Sequence, residues 1–312
     1  MVDSPEPAAT SQAPGSITRR FVSRGEMAAR ARTETLQVAD LAALELRPGN
    51  YIYEHQGQPL HYAFYLKFTD PGQPLLVFGQ GFQARSQVQL PRFQRMDWAE
   101  ELPYNALIFN DPTLFLREDV SLGWCAGTAE APVLPTHCEI VGQVRDALGI
   151  RNENILFYGS SAGGFTSLMM ASRMPGSSAL VNNPQTDVLK FRRGGVRRLL
   201  EVGFGGIPLD RAKAEFPDRF SFVASIAAGA QVPRIYYLQN ILDDDHYTDQ
   251  LLPLLGTLKL RAEERQEIDL SQRFILELYS DAKALHNPVG FDKIRSCLES
   301  IRPWFEGAPV QD

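Results

Sequence analysis

The sequence is short of cysteine, of long apolar runs and of positive charge, and each shortage removes a class of explanation. Its three cysteines, Cys125, Cys138 and Cys297, are scattered over 312 residues. Their spacing fits neither a zinc site nor a disulfide framework, so they read as free thiols in a reducing compartment and no metal is expected. No apolar stretch is long enough to cross a bilayer, so no membrane span is expected. The opening residues lack a basic start followed by an apolar segment. Residues 1–16, rich in Pro, Ala, Ser and Thr, read instead as a disordered lead-in, and the expected location is the cytoplasm. A formal net charge of -6 argues against a nucleic-acid partner, because phosphate binding needs a positive surface.

What is present is an alternation. Residues 17–46 are polar with a helical rhythm and read as a peripheral N-terminal arm, so 1–46 is set apart from a main domain over 47–312. Two β-rich runs at 51–55 and 61–68, with Gly57 between them, predict an antiparallel hairpin at the sheet edge. Short runs apolar on both faces follow at 75–78, 106–109, 155–158, 179–181, 234–238 and 274–278, separated by helical stretches at 138–148, 165–172, 247–260 and 289–301. This is the pattern of a mostly parallel sheet with helices on both faces, an α/β fold. Residues 182–232 break the rhythm with no clear strand. So long a connection predicts a functional insertion, read as a cap over about 184–232.

The sharpest chemical signal is Gly159-Ser160-Ser161-Ala162-Gly163 between a predicted strand and a predicted helix. A nucleophilic serine on a sharp strand-to-helix turn needs small residues two positions to either side, and the helix N–H groups below it face a developing oxyanion. The other reading is an ordinary turn of small residues. A phosphate-binding loop fits less well, since no lysine follows the glycines.

From about residue 51 onward, this motif in its setting resembles the α/β-hydrolase superfamily. The resemblance implies a serine nucleophile, Ser161, followed in chain order by an acid and a histidine. Asp243, three residues after Asn240, stands where many members have the acid. Asn240 replaces the usual glycine there. Asp244, Asp245 and Asp187 remain alternatives. Of five histidines, only His286 follows the last predicted strand, and imidazole is the group that can take and return a proton near neutrality. His246 is the reserve; its other reading is a helix-start residue paired with nearby aspartates. The oxyanion hole would combine the N–H groups of Ala162 and Phe82. Gly81 would let the backbone approach, and Gln80-Gly81 stands where members often have His-Gly; a plain glycine turn is the other reading. Trp124 is either a pocket wall or a packed anchor. Arg192 and Arg193, within a basic cluster from Lys190 to Arg198, are either a solvated helix face or a grip on an anionic substrate.

The runs 183–187, 237–240 and 110–113 further resemble bacterial hydrolase-fold proteins of surface-glycan assembly, including glycan O-acetyltransferases of the accessory secretion system. Together these features predict a serine-dependent acyl-ester hydrolase or O-acyltransferase acting through an acyl-enzyme on a small ester or a glycan, with no cofactor. The alternatives are a non-catalytic binding protein on the same fold and a serine peptidase.

Overall fold

A computed structural model describes residues 23–191, 193–265 and 270–306. Nine strands form one sheet: β1 (Glu34–Gln37), β2 (Gly49–Gln56), β3 (His61–Phe68), β4 (Leu75–Phe78), β5 (Asn105–Asn110), β6 (Ile155–Ser160), β7 (Ser178–Asn182), β8 (Arg234–Asn240) and β9 (Phe274–Tyr279). Their order is β1-β2-β3-β5-β4-β6-β7-β8-β9. The pairs β2–β3 and β3–β5 are antiparallel; the others are parallel. Every strand read from its apolar run is present. The fold is of the α/β-hydrolase type.

Alternation along each strand feeds two separate cores. Leu75, Val77, Ile155 and Phe157 pack on one face with α3 (Val133–Leu148) and α4 (Ala162–Arg173). Leu76, Phe78, Leu156 and Tyr158 pack on the other with α1 (Arg24–Ala31), α2 (Met96–Glu101) and the helix Phe291–Ser300. Because both faces are covered, the central strands β4, β6 and β7 are buried throughout, which is why they read as continuous apolar runs.

Two expectations change. The hairpin does not form the edge: β1 pairs in parallel outside β2. It also replaces part of the expected helical arm, whose described portion is α1 followed by β1. Three of the four β1 residues are exposed, with Leu36 alone packing on the core, so the strand is held chiefly by backbone pairing and carries little side-chain pattern to detect. Residues 1–16 lie outside the described residues. The long connection between β7 and β8 carries a short turn at Val188–Lys190, then α5 (Arg193–Gly203) and helices at Leu209–Glu215, Pro217–Phe220 and Phe222–Ala227.

A buried carboxyl after β5 organises the neighbourhood of Trp124. Asp111 is 3% exposed, and burial pushes its carboxyl above the ordinary value. Its Oδ1 accepts from Thr113 N–H and its Oδ2 from Cys125 N–H, both at 2.9 Å. These bonds fasten a turn in which Trp124 and Cys125 both have φ of 51°, a left-handed conformation that costs non-glycine residues energy. Replacing Asp111 by Ala leaves two buried N–H groups unpaired, so Asp111→Ala should lose about 1–3 kcal/mol in a denaturant titration. Asp111→Asn, which keeps one acceptor, should lose less; equal stability for all three proteins would contradict this reading.

Candidate active site

Ser161 follows β6 directly, with φ 53° and ψ −124°, and α4 starts at the next residue. The turn is crowded enough to demand its glycines. A Cβ on Gly159 would lie 2.2 Å from Gly163 O, and one on Gly163 would lie 2.5 Å from Gly79 O. The sheet order explains the second contact: β4 lies beside β6, so the loop after β4 abuts the start of α4. Arg95 donates to Ser160 Oγ at 2.6 Å.

The long-range geometry joins three of the expected residues. Ser161 Oγ lies 2.9 Å from His286 Nε2, and His286 Nδ1 lies 2.8 Å from Asp243 Oδ2. Of the four candidate acids, Asp243 is the one that meets His286. Asp244 and Asp245 are exposed, and Asp187 accepts from Leu189 N–H at the start of a short turn. His246 joins the same group: its Nδ1 lies 3.1 Å from Asp243 Oδ1, and its ring stacks on that of His286 with centroids 3.9 Å apart. Burial pushes the Asp243 carboxyl up, but the hydrogen bonds from His246 and His286 outweigh it, leaving the carboxyl well below its ordinary value.

The loops are tied by two asparagines. Asn240 N–H donates to Asn183 Oδ1 at 2.8 Å, and Asn240 Nδ2 donates to the carbonyls of Asp281 and Leu285 at 2.8 and 2.9 Å. Asn240 therefore replaces the usual glycine for its side chain: it has no positive φ, and it binds the acid-bearing turn to the histidine loop.

Phe82 is half exposed and lines a cleft of about 570 Å³ together with Ser161, His286, Leu122, Phe191, Gly195, Arg197 and Arg198. Gly81 N–H donates to Gln94 Oε1 at 2.8 Å, and Gln94 Nε2 donates to Phe82 O at 3.1 Å, so Gln94 holds the peptide groups on either side of the one that carries the Phe82 N–H. Gln80 has a different task from lining the cleft, accepting from Asp111 N–H and donating to Arg92 O. Of the two readings of Trp124, the packed anchor fits the structure and the pocket wall does not: it is 1% exposed and is not among the residues lining the cleft. Its indole N–H donates to Gln185 Oε1 at 3.1 Å, and Gln185 Nε2 lies 3.0 Å from Ser161 Oγ. Arg192 and the Arg193 side chain lie outside the described residues. Arg198 contacts Asp119, which also pairs with Arg117. Gln185 and Gln94 were missed by sequence reasoning, and no local pattern marks them; the pairing of His246 with Asp243 is a contact three residues apart, the helix-start pairing with nearby aspartates that is the other reading of His246.

No family profile matches the sequence, and no curated protein matches it. Among solved structures, the chain is similar to the capsule O-acetyltransferase of Neisseria meningitidis serogroup A, with a TM-score of 0.58 and 14% identity over 79% of this chain and 95% of that one. It is similar to an S-formylglutathione hydrolase from Agrobacterium tumefaciens, with a TM-score of 0.50 and 15% identity over 85% and 97%. A third is the Gap123 glycosylation-associated complex from Streptococcus agalactiae, at 0.52 and 12% identity over 80% and 46%. At these identities the likeness speaks to the fold.

Because Asp243 sits below the ordinary carboxylate value when folded, its charge stabilises the fold above about pH 4, where an unconstrained aspartate is ionised, and that contribution is lost as pH falls further. Thermal melting of the wild type should therefore decline more steeply than that of Asp243→Asn between about pH 5 and about pH 2. Parallel declines would contradict the assigned environment.

Proposed function

We propose that this protein is a serine-dependent acyl-ester hydrolase or O-acyltransferase that works through an acyl-enzyme. The observation that carries the reading is the hydrogen-bonded chain from Asp243 through His286 to a serine held in a strained turn. Ser161 Oγ attacks the acyl carbonyl while His286 Nε2 takes its proton. Asp243 fixes the imidazole tautomer and supports the imidazolium. The N–H groups of Ala162 and Phe82 receive the oxyanion. His286 then returns the proton to the leaving group. In the second half it removes a proton from water or an acceptor hydroxyl, which takes the acyl group and frees Ser161.

Ser161→Ala should reduce p-nitrophenyl acetate hydrolysis by about a thousandfold or more and abolish labelling by a fluorophosphonate. His286→Ala should be nearly as damaging, because such residues act as a unit. A non-catalytic binding protein would leave the wild type unlabelled, and a peptidase would cleave peptides in preference to simple esters.

Transfer to a glycan hydroxyl is the reading favoured by the cleft wall. The segment between β7 and β8 acts in this reading as the cap, and Arg197 and Arg198 of its α5 line the cleft that Ser161 opens into. Such a cap excludes water and positions an acceptor, while the arginines suit an anionic donor or glycan. The N. meningitidis capsule enzyme has been solved with CoA, which makes acetyl-CoA a donor to try. With acetyl-CoA or an activated acetyl ester and anionic oligosaccharides, acetylated sugar should exceed free acetate. Arg197→Glu with Arg198→Glu should lower transfer by about tenfold or more while leaving p-nitrophenyl acetate hydrolysis near wild type. Acetate as the dominant product with every acceptor would leave the esterase.

A further inference from the structure

Gln185 and His246 are buried beside Ser161, and neither belongs to the chain of bonds that the proposed reaction uses. Their hydrogen atoms can be placed by elimination. An indole N–H only donates, so the Gln185 atom that faces Trp124 Nε1 at 3.1 Å is the amide oxygen. The amide nitrogen therefore faces the other way, 3.0 Å from Ser161 Oγ and 2.7 Å from His246 Nε2. An amide nitrogen has two hydrogens to give and accepts none, so one goes to each partner. His246 Nε2 is then an acceptor, and its proton sits on Nδ1, facing Asp243 Oδ1 at 3.1 Å. Ser161 Oγ likewise accepts from Gln185, which leaves its own hydrogen directed at His286 Nε2.

Resting on the reading of Ser161 as the nucleophile, we propose that Gln185 and His246 are positioning residues. Gln185, oriented by Trp124, turns the serine proton toward His286. His246, kept uncharged by the same amide, steadies Asp243 and backs the ring of His286. Neutrality matters at the moment of attack. When His286 gains the serine proton it becomes a cation 3.9 Å from the His246 ring, and a charged neighbour would repel it. Burial also pushes the His246 pKa down, against the upward pull of Asp243. The ionisable groups around the pair are Asp243 and Asp245 on the same turn, Tyr237 and Tyr279 from β8 and β9, and Asp281 in the loop after β9. Arg197, Arg198 and Asp119 line the same cleft as His286.

Two substitutions test this against a purely structural role. Trp124→Phe keeps a buried ring but removes the donor that fixes the amide. It should lower kcat for p-nitrophenyl acetate by about tenfold to a hundredfold with KM unchanged. His246→Phe keeps the stack but takes one donor from Asp243. The carboxylate then bonds more strongly to His286, so the acid limb of the kcat/KM profile should move to higher pH. Fluorophosphonate labelling of the wild type separates the two layers of argument. A labelled Ser161 together with wild-type kcat in Trp124→Phe and an unmoved limb in His246→Phe would overturn the positioning roles alone. An unlabelled wild type would overturn the nucleophile reading and these roles with it. If His246→Phe does not fold, the kcat and KM of Trp124→Phe decide the role of Gln185, and the same pH profile taken on His246→Leu decides that of His246.

Discussion

The arrangement at the C-terminal ends of the strands depends on one carboxylate accepting two histidines. Asp243 is 9% exposed, and a charge so placed is tolerable only where its oxygens are paired. Each oxygen has one ring: Oδ1 faces His246 and Oδ2 faces His286. That division fixes the direction of both rings, stacks them and presents the outer nitrogen of His286 to Ser161. The surrounding loops serve the same geometry. Asn240 and Asn183 lock the turn that carries Asp243 to the loop that carries His286, where Leu285 is held at φ 46°.

The sheet supplies the complementary constraint. With β4 lying between β5 and β6, the loop after β4 and the start of α4 meet at the end where strand order reverses, the place where open α/β sheets bind ligands. The closeness of Gly79, Gly159 and Gly163 leaves no room for side chains, and Ser161 is driven into its positive φ above them. The Gln94 side chain bonds the loop after β4 on both sides of the Phe82 N–H, and the Gln80 side chain ties that loop to the backbone of Asp111 and Arg92.

Legibility followed the range of the interactions. The strands and the Ser161 turn were readable because local rules govern them: burial on both faces makes apolar runs, and a tight turn needs glycines. His286 and Asp243 were readable through their order along the chain after Ser161. β1 was not, because it is a short edge strand with three of its four residues exposed, held chiefly by backbone pairing. Trp124 was readable as a packed anchor, but not its bond to Gln185, which lies 61 residues away. The place of Gln185 beside Ser161 and against His246 comes from contacts across the fold, which leave no spacing in the sequence, whereas the His246–Asp243 pair is three residues apart.

The central claim is that Ser161 carries the acyl group during turnover. Mixing the protein with p-nitrophenyl acetate, quenching in acid within the first turnovers and mapping the peptides by mass spectrometry tests it directly. The expected result is an acetyl group on the peptide containing Ser161, absent from Ser161→Ala and accumulating when release is slowed. Sustained release of p-nitrophenol with Ser161 unmodified at every quench time, and at an equal rate in Ser161→Ala, would contradict it.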